Sequence, residues 1–257
     1  MENISLPFEE RIILKNWSFV SPEEYLKEHE KTLSPDFWLK VAEEIDWFKK
    51  PTKSLTGEHP FYKWFEDGTL NISYLCLDRN VKNGRKNKVA FFWLGEDGEE
   101  RVLTYDQFYR EVNRWAYVFG HKLGLRKGDR VAIYLPMIPE LPIVMLALAR
   151  IGVIFTVVFS GFSGSALAQR IEDSSARILI TADGYYRRGR KILMQPNVRE
   201  ALSKVTVEKV IVFKRLEGNW VKEERDVFAD ELLSDVPKNI FVEPVEVEST
   251  HPLFILY

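Results

Sequence analysis

Apolar and polar positions change rhythm near residue 88. Before that point the apolar residues come in short helical runs and aromatic clusters. Ser21-Pro22-Glu23-Glu24 combines an N-cap residue, a proline at the first helical position and a capping-box glutamate. Ser34-Pro35 opens a second helix carrying Phe37, Trp38 and Val41. Trp47-Phe48, Phe61-Tyr62 and Trp64-Phe65 then fall in stretches that read as loops.

From residue 88 strands and helices alternate. Val89–Leu94 reads as a strand, Gly95-Glu96-Asp97-Gly98 as a turn and Arg101–Leu103 as the returning strand. Thr104-Tyr105-Asp106-Gln107 is a capping box. It opens a long helix whose Phe108, Val112, Trp115, Phe119 and Leu123 recur at three and four residues, with Gly124 at its end. Strands follow over Arg130–Leu135, Val153–Val158, Arg177–Thr181, Val210–Phe213 and Pro252–Tyr257. Between them the pattern predicts a helix from Pro139 to Gly152, one over Ser165–Asp173 and one near Val198–Lys204. Strands separated by such helices pair in parallel through right-handed crossovers. The fold class is therefore α/β, a mostly parallel sheet flanked by helices, preceded by an N-terminal extension of helices and loops. Ligands on such sheets sit past the carboxyl ends of the strands. Two loops fall there: Phe159–Gly164 and Ala182–Lys191.

Composition narrows this picture. With 257 residues, 46% hydrophobic and 29% charged, the chain can bury a large core and is not of disordered type. A net charge of -2 offers no global attraction to nucleic acid or to an anionic membrane. Cys76 is the single cysteine, which excludes an internal disulfide and a cysteine-based metal site and fits a reducing cytoplasm. MENISLPFEER lacks the basic-then-apolar order of a signal peptide. The most apolar stretch, Leu141–Phe159, contains Pro142 and Arg150 and breaks at Gly152, so it reads as a buried helix and strand rather than a membrane span.

The two loops carry the candidate chemistry. In Phe159-Ser160-Gly161-Phe162-Ser163-Gly164 the glycines permit close approach of a ligand, and Ser163 can cap the following helix. A nucleophile elbow fails, because Ser165 stands where G-x-S-x-G needs its last glycine. Gly184-Tyr185-Tyr186-Arg187-Arg188-Gly189-Arg190-Lys191 falls short of a Walker A loop for want of a Lys-Ser/Thr pair. It does place four basic residues around one glycine, and guanidinium donors match phosphate oxygens in pairs. A solvated basic turn explains the same composition. His29, His59, His121 and His251 show no metal-ligand spacing, and the acidic clusters Glu96–Glu100 and Glu223-Glu224 read as solvated turns. A dehydrogenase-like reading fails for lack of G-x-G-x-x-G after the first strand.

Taken together, several segments resemble the AMP-forming acetyl-CoA synthetases. Trp64-Phe65-Glu66-Asp67-Gly68-Thr69-Leu70-Asn71 with Leu77-Asp78-Arg79 is similar to the family's WF-x-G-x-LN…LDRH, with Asn80 in place of the histidine. Leu103-Thr104-Tyr105, Lys127-Gly128-Asp129-Arg130-Val131, Leu135-Pro136-Met137-Ile138-Pro139-Glu140 and Ala149-Arg150-Ile151-Gly152 are also similar. The glycine loop resembles V-F-G-G-F-S with Ser160 for the first glycine, and the basic loop resembles R-x-G-[RK].

The resemblance spans roughly residues 20 to 257. It implies that a short carboxylic acid attacks the α-phosphate of ATP, with Mg, to give an acyl-adenylate, and that CoA then displaces AMP. It implies that Arg187, Arg188, Gly189 and Arg190, with Phe159, Gly161 and Phe162, line the CoA nucleotide site, the arginines answering the 3′-phosphate. Residues 1–85 are then the extension typical of acetyl-CoA synthetases, and 86–257 the first part of the adenylate-forming domain. In the family a strand like Pro252–Tyr257 runs into a Thr-Ser-Gly-Thr-Thr-Gly phosphate loop. The expectation is therefore an N-terminal portion with no catalytic residue and no metal ligand of its own, inactive alone, with a separate C-terminal polypeptide as one carrier of the remainder. Tyr257 is expected to end a buried strand on an open apolar edge. A related propionyl-CoA synthetase and a non-catalytic CoA- or nucleotide-binding module are the alternatives.

Overall fold

A computed structural model describes residues 21–217 and 219–257. The segment read for a signal peptide, residues 1–11, lies outside the described residues. The chain forms two compact units, one holding residues up to Thr69 with Glu248–Thr250, the other Leu70–Val247 with His251–Tyr257.

Among the described residues, the smaller unit opens with α1 (Pro22–Lys31) and α2 (Pro35–Ala42). The predicted capping box is present: Glu24 N–H donates to Ser21 Oγ at 3.2 Å, and Ser21 N–H donates to Glu24 Oε2 at 2.9 Å. Aromatic indoles hold the loops that follow. Trp38 Nε1 donates to Thr32 O and Trp47 Nε1 to Ala42 O, both at 2.7 Å. The segment around Phe61-Tyr62, expected to be a loop, is instead an antiparallel hairpin of β1 (Leu55–Glu58) and β2 (Phe61–Trp64). Its aromatic and threonine content suits a pleated strand.

In the larger unit, β3 (Val89–Leu94) and β4 (Glu100–Thr104) pair as the expected hairpin. α3 (Tyr105–Tyr117) follows, begun by the Thr104–Gln107 capping box and continued by a wider helical turn over Val118–Lys122. The six remaining main strands are β5 (Arg130–Tyr134), β6 (Ile154–Val157), β7 (Ile178–Ala182), β10 (Lys209–Phe213), β11 (Asp226–Phe228) and β12 (Phe254–Ile255). They form one parallel sheet in the order β11-β10-β7-β5-β6-β12. β7 is buried along its whole length and β5 at four of its five residues, as a sheet covered on both faces requires. The crossovers are α4 (Glu140–Arg150), α5 (Gly164–Ser174) and α6 (Gln195–Leu202), and the short α7 (Ala229–Leu233) follows β11. Trp115, Phe119, Leu148, Leu167, Ile171 and Ile178 are fully buried in the core.

Two expectations are corrected here. The basic loop over Ala182–Lys191 is largely taken up by a third antiparallel hairpin, β8 (Gly184–Arg187) with β9 (Arg190–Leu193). Arg188 and Gly189 both have positive φ, +52° and +71°, the backbone of a type I′ turn that suits strand twist. The last strand is shorter than Pro252–Tyr257: only Phe254 and Ile255 pair, with Phe155 and Thr156. Tyr257 does not end buried. It is exposed, with its hydroxyl donating to Asp173 at 2.5 Å and its ring over the Arg170 guanidinium.

Candidate functional site

The carboxyl ends of β5, β6, β7 and β10 converge on one edge of the sheet, and the residues after each strand build the site. After β6 the chain turns through Phe159-Ser160-Gly161-Phe162, with Phe162 N–H donating to Phe159 O at 2.9 Å. Ser163 then caps α5, its Oγ accepting from Ala166 N–H at 3.3 Å. Ser163 is thus a helix cap rather than an activated hydroxyl.

Beneath this turn lies Tyr134, the last residue of β5. Its hydroxyl sits 2.7 Å from Phe162 O and 2.9 Å from Ser160 O, so its single proton is shared between two carbonyls. Burial lifts the Tyr134 phenol above its ordinary range, so it stays protonated and able to donate. Asn197 on α6 donates both amide hydrogens here, to Tyr134 Oη at 3.1 Å and to Phe162 O at 3.2 Å. Tyr185 on β8 adds a longer contact from its hydroxyl to Ser160 O, at 3.4 Å.

The β8–β9 hairpin stands beside the glycine loop. Arg187 and Arg190 are directly opposite in its register, so their side chains share one face. A Cβ placed on Gly161 would lie 3.2 Å from Arg187 Nη1, which shows how closely the guanidinium covers that glycine. Arg187, Arg188 and Arg190 are exposed, and among the described residues none of them forms an ion pair. Like charges directly opposite in a hairpin repel. Phe159 and Phe162 are 69% and 36% exposed and meet edge to face with centroids 5.8 Å apart. The structure therefore gathers Phe159, Gly161, Phe162, Arg187 and Arg190 on one surface, with Arg188 and Gly189 at the hairpin tip.

The hairpin is anchored from behind by groups that local sequence does not reveal. Asp183, fully buried, accepts from the amides of Arg215 and Leu216 at 2.7 and 2.9 Å. Arg215, after β10, donates to Asp97 and Glu99 at 2.7–2.8 Å and lies over the rings of Trp93 and Tyr186. Glu96 Oε1 accepts from Gly189 N–H at 3.1 Å. The acidic turn Glu96–Glu100, expected to be merely solvated, instead fixes the hairpin tip and Arg215. Beside them lies a half-open pocket of about 310 Å³ lined by Trp93, Met137, Ser160, Tyr186, Arg187 and Arg215.

The histidines act structurally: His121 stacks on Tyr117, and His251 Nε2 lies 3.0 Å from Gly152 O. Among the described residues no group of three His, Cys, Asp or Glu side chains is placed to hold a metal, and no helix is long and apolar enough to cross a membrane. The donors gathered at the two loops are cationic and peptidic, suited to phosphate rather than to a cation.

Known proteins resemble this chain over most of its length. The AMP-binding enzyme family matches residues 77–257, and the acetyl-coenzyme A synthetase N-terminus matches residues 22–76. The acetyl-coenzyme A synthetase of Pyrobaculum aerophilum is 50% identical over 98% of this chain and 40% of that protein. The 3-hydroxypropionyl-coenzyme A synthetase of Sulfurisphaera tokodaii is 47% identical over 87% of this chain and 34% of its own length. Among solved structures, the acetoacetyl-CoA synthetase from Streptomyces lividans superposes with a TM-score of 0.76 at 26% identity, covering 87% of this chain and 34% of that one. The chain thus spans about a third to two fifths of the length of such relatives.

Proposed function

This chain belongs to the AMP-binding enzyme family, and from that premise we propose that it is the N-terminal portion of an acetyl-CoA synthetase that binds the nucleotide end of CoA. In the complete enzyme acetate, ATP and Mg give acetyl-AMP, and CoA displaces AMP. This portion contributes Arg187, Arg188, Gly189 and Arg190 of the hairpin with Phe159, Gly161 and Phe162 of the glycine loop. None of these residues takes part in bond making, and the reading assigns no metal ligand to them. Residues 1–85 serve as the family's N-terminal extension, of which 70–85 pack within the larger unit, and 86–257 begin the AMP-binding domain. The reading places the protein in the cytoplasm and leaves the remaining length to the same chain or to a separate polypeptide.

The observation that carries the CoA assignment is the Arg187–Gly161 contact, with Arg190 on the same hairpin face. Two uncompensated guanidiniums beside a side-chain-free backbone offer a phosphate bidentate donors and close approach. Calorimetric titration of the chain with CoA tests it. Arg187→Ala and Arg190→Ala are each expected to weaken binding about tenfold or more, and the loss is expected to be smaller for dephospho-CoA. Equal affinity for the two ligands, unmoved by either substitution, would refute the site.

The acid is the finer question, since relatives of nearly equal identity are named acetyl-coenzyme A synthetase and 3-hydroxypropionyl-coenzyme A synthetase. ATP–pyrophosphate exchange by the chain completed to its relatives' length, with acetate, propionate and 3-hydroxypropionate in turn, ranks them. A preference for either longer acid would overturn acetate.

A further inference from the structure

We infer that Tyr134 and Asn197 are positioning residues that set the glycine loop for anion binding, an inference that rests on the CoA reading above. In a trans peptide the C=O and the next N–H point in opposite directions. Ser160 C=O is drawn inward to the Tyr134 hydroxyl, so the N–H of Gly161 is turned to the outer face of the loop. Phe162 C=O is drawn inward to Tyr134 and Asn197, so the N–H of Ser163 is turned outward too. Arg187 covers Gly161. A phosphate oxygen on this outer face thus meets backbone N–H and guanidinium donors together.

Proton accounting makes the network specific. The two inward carbonyls are served by one phenolic proton and one amide hydrogen, while the other Asn197 hydrogen holds the phenol oxygen. Without the hydroxyl, Phe162 O keeps Asn197, but Ser160 O retains only Tyr185 at 3.4 Å. The Ser160–Gly161 peptide is then free to rotate, and its N–H is no longer preset. Binding must fix that peptide at the moment of association, which lowers affinity without removing any ligand contact.

The test uses this chain with CoA, dephospho-CoA and adenosine 3′,5′-bisphosphate as probes. Tyr134→Phe removes one oxygen; Asn197→Leu removes the amide donors at similar size. Each is expected to lose about tenfold in CoA affinity, roughly the worth of one hydrogen bond. The CoA-to-dephospho-CoA ratio should fall in both, which a mere loss of stability would not produce. Nitrogen-15 spectra of the unliganded variants should show the Gly161 amide shifted or broadened, and Asn197→Leu keeps the test open should Tyr134→Phe fold poorly. If Arg187→Ala abolishes binding while both variants retain the parental affinity and ratio, the positioning role is refuted and the CoA site stands. If the parent chain shows no Arg187-dependent binding, the site reading fails and the inference fails with it.

Discussion

Arg150 and Asp78 meet as a fully buried bidentate pair, Nη1 to Oδ2 at 2.7 Å and Nη2 to Oδ1 at 2.9 Å. Each comes from a segment that carried the family resemblance, Leu77-Asp78-Arg79 and Ala149-Arg150-Ile151-Gly152. The guanidinium also donates to Val242 O at 2.6 Å and lies over the rings of Tyr109 and Phe241. Asn71, from a third such segment, donates to Ala149 O, Arg150 O and Val245 O and so closes the end of α4. Three motif segments with no visible chemistry thus tie the start of the larger unit to its central crossover helix.

Removing Arg150 alone should be severe. Arg150→Met leaves the Asp78 carboxylate buried without its partner, which costs about 3–5 kcal/mol. Replacing both, with Asp78→Leu added, should recover most of that loss, because well-packed apolar groups tolerate the site better than one lone charge. Urea midpoints of the two single variants and the double variant, at constant m, measure the coupling. A cost below about 1 kcal/mol for Arg150→Met would show that Asp78 finds water or another donor.

The central strands could be read from sequence because their signals are local. Ser21, Thr104 and Ser163 cap helices where their side chains predict, and the apolar runs over 130–135 and 177–181 are the buried strands. The β8–β9 hairpin escaped because its tip is Arg188-Gly189, without the Asn-Gly or Asp-Gly that announces a type I′ turn. The supports of the site escaped for a different reason. Tyr134 and Asn197 are 63 residues apart, Asp183 and Leu216 are 33 apart, and Arg215 and Glu99 are 116 apart. No periodicity relates such pairs; only the sheet order brings them together. The glycine loop and the arginines could be nominated, but not the network that orients them.

The hairpin tip can be tuned independently of its charge. Arg188 holds a positive φ of +52°, a conformation that asparagine adopts more readily. Arg188→Asn should therefore stabilise the hairpin by a few tenths to about 1 kcal/mol, the scale of such backbone adjustments. CoA affinity should fall less than for Arg187→Ala, since Arg188 stands at the tip rather than on the face shared by Arg187 and Arg190. Hydrogen exchange at the amides of Tyr185 and Ile192, the next hydrogen-bonded pair of the ladder after Arg187 and Arg190, reads the first effect, and calorimetry reads the second. Faster exchange in the variant would contradict the turn assignment.

Asp226 gives the protein a defined acid sensitivity. Burial pushes its carboxyl up, but Arg199, the Glu223 amide and the Trp220 indole all donate to it and outweigh burial, so its pKa lies below the usual range. A folded pKa below the unfolded value stabilises the protein above the unfolded value, about 3.9, and that contribution is lost as pH falls through the folded one. Asp226→Asn should lower stability by roughly 2 kcal/mol near neutrality, the scale of a charged hydrogen-bond network. The gap between variant and parent should be flat above about pH 5 and should narrow only below about pH 4. Thermal midpoints across that range decide it; a gap that widens on acidification would reverse the sign of the argument.

Gly161→Ala separates the geometry of the site from the stability of the fold. The added Cβ would stand 3.2 Å from Arg187 Nη1, the far end of a flexible side chain, and meets no other heavy atom within 4 Å. Gly161 lacks the left-handed backbone seen at Gly189, so alanine introduces no torsional strain there. The guanidinium can swing outward at little cost, and the thermal midpoint should move by no more than a degree or two, within the range of surface substitutions. Binding should behave otherwise. The methyl group occupies the space where backbone N–H and guanidinium converge, so a phosphate is held off the loop and from Arg187 at once. CoA affinity should fall at least as far as in Arg187→Ala, and combining the two substitutions should add little, because both remove the same contact. Full additivity in that cycle would mean that the arginine and the glycine loop serve different ligand groups, and the joint site drawn here would have to be divided.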